Sequence, residues 1–301
     1  MKLVMLTILM GAALLCAPHA LGQSSSIAEL RKAAEAGDAD AQFNLGLKYD
    51  LDSAEALKWF REAANQGYAD AQVLLGTIYD TGVGGKQDSV EAVKWYRKAA
   101  DAGNVIAQYF VGVAYAEGKG VSQDYVEAAK WYRRAAEQEY PGAGSTLGLM
   151  YYRGQGVKQD FAEAVKWFHK SADAGDGDAQ YNLGLMYTRG EGVLKNDGEA
   201  VKWYQKASDQ ENAPAQYMLG LACAQGRGVP QDFVLAHVWF NLSASNGRDE
   251  DREQRTHARD IIGTRLTPQQ LGEAQRLARE WKARKRNTLK RSPRSLLSLA
   301  L

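Results

Sequence analysis

Apolar and small residues recur along most of this chain at helical spacing. Over residues 104–139, Ala107, Val111, Ala114 and Tyr115 share one face of a helix, and Ala128, Trp131, Tyr132 and Ala135 share one face of a second. Between them the stretch EGKGVSQD interrupts the pattern. Gly118 and Gly120 suit a helix end followed by backbone with positive φ. Asp124, with Glu127 three residues on, forms the D-x-x-E pattern of a capping box that opens the next helix. The unit therefore predicts two helices, A and B, joined by a short turn.

The same unit returns down the chain. Trp59, Trp95, Trp131, Trp167, Trp203 and Trp239 are each 36 residues apart. Gly76, Gly112, Gly148, Gly184 and Gly220 keep the same beat in helix A, and Gly46 precedes Gly76 by 30 because the first loop, YDLDSAEA, is shorter. Six copies run from Ala39 to Gly247. The cap pair recurs as Asp52/Glu55, Asp88/Glu91, Asp160/Glu163 and Asn196/Glu199, whereas Asp232 is followed by Leu235. Helix B ends at a glycine such as Gly103, Gly175 or Gly247 where one is present, while Glu139 and Glu211 replace that glycine in two copies. A glycine inside helix A costs about 1 kcal/mol relative to alanine. Its return in every copy implies that a bulky neighbour takes the space of the Cβ, and the recurring tryptophan is the expected filler. One such pair cannot bury its own apolar face, so the copies must stack as a solenoid.

The words A-x-x-x-x-L-G-x-x-Y, G-x-G-V, D-x-x-x-A and W-x-x-K-A-A carry a resemblance. They appear as Ala179, Leu183, Gly184 and Tyr187; as Gly190, Gly192 and Val193; and as Ala200, Trp203, Lys206 and Ala207. They resemble the Sel-one-like repeat family, a relative of the tetratricopeptide repeats. That resemblance implies an all-α fold: a right-handed superhelical solenoid of antiparallel helix pairs that serves as a protein-binding scaffold. Gly85 in place of the loop valine, Cys223 in place of the tyrosine and Gly144 in place of a glutamine are departures. Cysteine-rich members linked to β-lactam binding or hydrolysis carry a disulfide in each repeat, and this chain lacks those cysteines.

The ends differ from the middle. Residues 1–22 read as a signal peptide: Lys2, an apolar run from Leu3 to Ala17, then Pro18 and the small-residue site Ala20-Leu21-Gly22. The run falls short of the roughly 20 residues needed to span a bilayer. Export to the periplasm or beyond is the expectation, with an uncleaved inner-membrane anchor as the alternative. Residues 23–38 resemble a lone helix B that caps the stack, with Glu29 at the tryptophan position. Residues 248–281 predict closing helices, the second opened by Thr267 as N-cap, Pro268 and Gln270. From Lys282 the chain shows no periodicity and is expected to be a disordered basic tail over 282–301.

Charge separates that tail from the body. Without Lys2 the chain has 36 basic and 36 acidic residues; setting aside the seven basic residues of the last twenty leaves 29 against 36. The tail either docks on an anionic surface such as lipid or merely solubilises the chain. Without interleaved aromatics it is a poor nucleic-acid binder.

Chemistry is sparse. With the leader removed, Cys223 is the sole thiol, which excludes a disulfide-stapled fold or a cysteine metal cluster. His169 and His237 have neither an i+4 histidine nor an acidic companion at ligand spacing that recurs from repeat to repeat, and His257 is the one other histidine outside the leader. The acidic pairs are explained by capping, and no strand precedes the loop glycines as a phosphate cradle would need. Neither a cofactor nor a metal nor an enzymatic role is expected. What remains is surface. By analogy with tetratricopeptide repeats, helix A lines the inner curve, and three rows lie opposite its Val111/Tyr115 stripe. The first reads Phe43, Val73, Tyr109, Ser145, Tyr181, Tyr217; the second Leu47, Thr77, Val113, Leu149, Leu185, Leu221; the third Asp50, Asp80, Ala116, Tyr152, Thr188, Ala224. The first and third are expected to be exposed for binding a protein or extended peptide, the second to pack. The reading is a non-enzymatic scaffold of the bacterial envelope; the alternative is an envelope hydrolase acting on cell wall or a β-lactam.

Overall fold

The computed structural model describes residues 27–83, 85, 87–246 and 251–291; the leader and the last ten residues lie outside them. The described residues form helices joined by turns, with no strand among them. A first helix, α1 (Ile27–Glu35), precedes A and B helices in alternation: α2 (Ala39–Gly46) and α3 (Ala54–Asn65), α4 (Ala69–Thr81) and α5 (Ser89–Asp101), α6 (Val105–Glu117) and α7 (Tyr125–Glu137), then α8 (Ala143–Arg153), α9 (Phe161–Asp173), α10 (Gly177–Arg189) and α11 (Asp197–Ser208), and α12 (Ala213–Gln225) and α13 (Phe233–Asn246). Two more helices follow, α14 (Arg252–Gly263) and α15 (Pro268–Arg291). The chain divides into two compact units, Met1–Gln159 and Asp160–Leu301.

Cap chemistry fixes the ends of these helices. Asp88, Asp124, Asp160 and Asn196 stand at the N-cap of helix B, each accepting the N–H of the residue three on. Asp232 does the same for Leu235 although the glutamate is gone. In the first repeat the cap is Ser53, which accepts from Ala56 N–H, and not Asp52. The reciprocal half of the capping box is absent here for a structural reason. The N-cap N–H groups of Asp88, Asp124, Asn196 and Asp232 already donate to the carbonyls of Tyr79, Tyr115, Tyr187 and Cys223 on the preceding A helix. The glutamates turn outward instead, to Lys94, Lys130, Lys166 and Lys202. A complete box occurs at α15, where Thr267 N–H donates to Gln270 Oε1 and Gln270 N–H to Thr267 Oγ1.

The turn after helix A uses both its glycines. Gly118 closes α6 at φ +68°. Gly120, at φ +72°, lies so close to the Ser89 carbonyl of the preceding repeat that any Cβ would overlap it. The second glycine therefore sets the turn of one repeat against helix B of the one before.

The space left by the helix A glycine is filled, though not by the tryptophan. A Cβ at Gly76 would stand 2.5 Å from the Tyr96 ring, at Gly112 2.8 Å from Tyr132, at Gly184 2.5 Å from Tyr204 and at Gly220 2.6 Å from Phe240. Phe60 fills the same place at Gly46, again at 2.5 Å. Gly148 is buried in α8. At the other five glycines the filler is the aromatic residue directly after the tryptophan. Adjacent helical residues point about 100° apart, so only one of the two can face the glycine of its own repeat. Trp95, Trp131 and Trp239 reach the previous repeat instead. Trp95 joins Phe43, Phe60, Leu74 and Leu75 in one buried cluster, and Trp131 joins Val73, Tyr96, Ala107 and Val111 in the next. Trp203 is buried in α11, Trp167 in α9, Trp59 packs on Ala34, Ala41 and Leu45, and Trp239 on Tyr204 and Leu219. One ring closes the pair and its neighbour joins pair to pair.

A buried glutamine ladder runs beside the rings. Gln42, Gln72, Gln108, Gln180 and Gln216 each donate through Nε2 to a carbonyl eight residues earlier, at the end of the previous B helix. Their Oε1 atoms accept from Gln66, Gln138, Gln210 and Asn246 in four repeats. At Gln72 the donor position holds Ala102, and the Gln72 Oε1 is enclosed without a partner.

The basic tail departs from expectation. α15 runs on to Arg291, so residues 282–291 are helical and not disordered. Ala, Arg and Lys are good helix formers, and the helix is pinned to the body: Lys282 Nζ donates to Ser245 Oγ at 2.7 Å, and Lys285 Nζ to the Asp209 carbonyl at 2.7 Å.

Candidate functional site

The face of the A helices is less open than its sequence pattern implies. In the first row Phe43, Val73 and Ser145 are buried, at 6%, 5% and 7% exposure, which corrects the expectation that Phe43 faces a ligand. Tyr109, Tyr181 and Tyr217 are half-buried. The cause is the gap-filling ring, which emerges beside this row. Phe43 lies 5.8 Å from Phe60 and 5.1 Å from Tyr68, Tyr109 5.5 Å from Tyr132 and 5.0 Å from Tyr140, Tyr181 6.1 Å from Tyr204, and Tyr217 5.3 Å from Phe240, between ring centroids. These aromatics serve the core with one face and offer an edge to solvent. Burial, more than the neighbouring charges, raises the Tyr181 hydroxyl above its ordinary range.

The second row is half-buried except for Thr77, which is buried, donates to the Val73 carbonyl at 3.0 Å and accepts from the Tyr96 hydroxyl at 3.1 Å. In the third row Asp50 is exposed, while Asp80, Ala116, Tyr152, Thr188 and Ala224 are half-buried. The backbone carbonyls of Asp80, Ala116, Tyr152 and Ala224 accept from Gln87, Gln123, Gln159 and Gln231 of the following turn, which caps helix A. Thr188 Oγ1 lies 2.9 Å from the Gly184 carbonyl and 2.9 Å from the Tyr204 hydroxyl.

Within the second unit, two of these rows meet in a groove of about 120 Å³. Thr188 of the third row and Leu221 of the second line it with Val201, Tyr204 and Met218, and Asp197 and Arg227 stand at its polar side. Val201, Tyr204 and Met218 were not among the residues the sequence pattern singles out. The recurrence of an aromatic after each tryptophan was the available signal for Tyr204. Its hydroxyl is pushed above its ordinary range chiefly by burial.

The candidate reactive groups are scattered. His169 Nδ1 lies 3.0 Å from Asp173 Oδ2 on an exposed helix face, with its ring against Trp203. His257 is exposed and His237 buried. Cys223 is a buried free thiol, pushed up to about 11 by burial and then by Asp232. The N-cap carboxylates spend their oxygens on backbone N–H groups. Among the described residues no group of three or more His, Cys, Asp or Glu is placed to hold a metal ion, and no helix is long and apolar enough to cross a membrane.

With the geometry in view, six segments match the Sel1 repeat: residues 39–68, 69–104, 105–140, 147–176, 177–212 and 213–247. The chain belongs to the Sel1-repeat family. Among solved structures it is similar to a protective antigen present in uropathogenic Escherichia coli strains that displays an SLR fold, at 35% identity and a TM-score of 0.75, over 85% of this chain and 56% of that one. It is also similar to a Sel1 repeat protein from Oxalobacter formigenes, at 30% identity and a TM-score of 0.63, over 87% of this chain and 98% of that one. The chain thus spans little more than half the length of the E. coli antigen. No protein of curated function matches it. Sel1-repeat proteins are commonly protein-interaction scaffolds.

Proposed function

We propose that this Sel1-repeat protein is a non-enzymatic scaffold of the bacterial envelope that binds a protein or extended peptide along its A helices. The observation that carries this reading is the groove at Thr188 and Leu221, where an apolar floor meets a polar rim. Its volume suits one aliphatic side chain of an extended ligand, with Asp197 and Arg227 near the ligand backbone. Tyr181 and Tyr217, on the same A helices as Thr188 and Leu221, have rings already held by Tyr204 and Phe240, so little rotamer freedom is lost on contact. In the first unit Tyr109 is held in the same way, and Tyr152, Asp80 and Asp50 offer polar contacts. Export rests on the leader at residues 1–22.

The test is photo-crosslinking in the living host. A photoreactive residue placed at Thr188, Leu221 or Tyr109 should give one common adduct, and none when placed at Lys166 or Lys202 on exposed B-helix positions. Adducts only at the B-helix positions, or none anywhere, would remove the proposed face. N-terminal sequencing of the protein from cells should begin at Gln23; an intact leader would mean anchoring instead of release.

A further inference from the structure

The sixth repeat changes chemistry at one buried position. Two residues before the tryptophan, helix B carries Leu57, Val93, Ala129, Val165 and Val201, and then His237. An imidazole in place of an aliphatic side chain is unfavourable in a packed interior unless its nitrogens find partners. His237 is only 5% exposed, and its Nδ1 is enclosed without a hydrogen-bond partner.

The other edge of the ring faces an opening. A Cβ on Gly263 would lie 3.7 Å from His237 Cδ2 and 3.8 Å from Nε2. Gly263 and His237 line a depression of about 540 Å³ with Asn241, Arg259, Asp260, Thr264 and Gln275, where α13, α14 and α15 meet. Burial, and then Arg259, hold the imidazole below its ordinary range against the opposing effect of Asp260, so the ring is neutral at pH 7. With Nδ1 enclosed, the tautomer protonated on Nε2 turns its donor toward the depression. Arg259 donates through Nε to Asp260 Oδ1 at 2.8 Å, and its Nη2 lies 2.7 Å from the same oxygen. Those contacts use one side of the guanidinium fork and leave three further N–H groups outside them.

We propose that this depression is a binding site for a small carboxylate. The carboxylate accepts hydrogen bonds from His237 Nε2–H and from Arg259. The amides of Asn241 and Gln275 and the Thr264 hydroxyl supply the remaining polar wall, and the exposed Asp260 carboxylate at the rim suits an ammonium on the same ligand. A free amino acid and a peptide C-terminus share this chemistry. The site is separate from the A-helix face and stands or falls independently of it.

The test uses the full chain and three probes: N-acetylglycine, glycine and glycinamide, followed through the imidazole ¹⁵N–¹H NMR signals of His237. The free protein should show a neutral Nε2–H tautomer. N-Acetylglycine and glycine should shift the His237 signals, and glycinamide should not. Tighter binding of glycine would assign the site to free amino acids, and equal or weaker binding to a peptide C-terminus. Arg259→Gln should weaken carboxylate binding at least tenfold. His237→Val, which restores the aliphatic residue of the other repeats, should weaken it equally, read by calorimetry, while its unfolding midpoint stays at or above that of the wild type. No carboxylate-dependent shift at tens of millimolar, an equal shift with glycinamide, or unchanged affinity in both variants would overturn the proposal.

Discussion

Replacing Gly220 by alanine isolates the contact that closes each helix pair. The new Cβ would stand 2.6 Å from Phe240 Cδ1 and Cε1 and 3.0 Å from Cγ. Carbon atoms settle near 3.5–4.0 Å, so the ring would have to retreat by about 1 Å. Phe240 is 1% exposed and has no open side to move into. Overpacking of this kind costs about 1–3 kcal/mol. Alanine in the helix interior returns about 1 kcal/mol. The single variant should therefore lose from about 0 to 2 kcal/mol. In a Phe240→Ala background the clash is gone, and the same change should stabilise by about 1 kcal/mol. A double-mutant cycle by urea unfolding should then give a coupling of about 1–3 kcal/mol between Gly220 and Phe240. A parallel cycle with Trp239→Leu should give less than about 0.5 kcal/mol. A larger coupling to Trp239 than to Phe240 would restore the tryptophan as the filler and refute the packing described here.

Three further outcomes follow from single positions. Ala102→Gln should supply the missing donor to the enclosed Gln72 Oε1 and raise stability by about 1 kcal/mol in urea unfolding; a destabilised variant would mean the position cannot take the side chain. Glu139 and Glu211 both hold φ +61°, in the left-handed region, where Gly103 and Gly175 close the equivalent helices at φ +93°. Glu139→Gly and Glu211→Gly should each stabilise by about 1 kcal/mol, and a loss in either would remove the strain argument. The Cys223 thiol, raised from 9.0 to about 11 in the fold, favours folding below pH 9 and loses that contribution as the pH rises toward 11. The stability difference between wild type and Cys223→Ala should shrink over that window, and native protein at pH 8 should resist alkylation until unfolded; rapid native alkylation would contradict the burial.

Much of this molecule is legible in its sequence because solenoid information is local. The 36-residue period, the helix lengths, the turn glycines and the N-caps all depend on residues within one repeat, so six copies of the same words report the same geometry six times. What only packing between repeats decided is which of two adjacent aromatics meets the glycine: both recur every 36 residues, and periodicity cannot distinguish neighbours pointing about 100° apart. That choice then buried Phe43 and left Tyr109, Tyr181 and Tyr217 half-buried, since the filling ring emerges beside them. The outward turn of the capping glutamates, the orphaned Gln72 oxygen, the helix through Arg291 and the depression at His237 likewise arise from contacts between segments remote in sequence. No local pattern encodes such contacts, because each depends on what the facing segment happens to present.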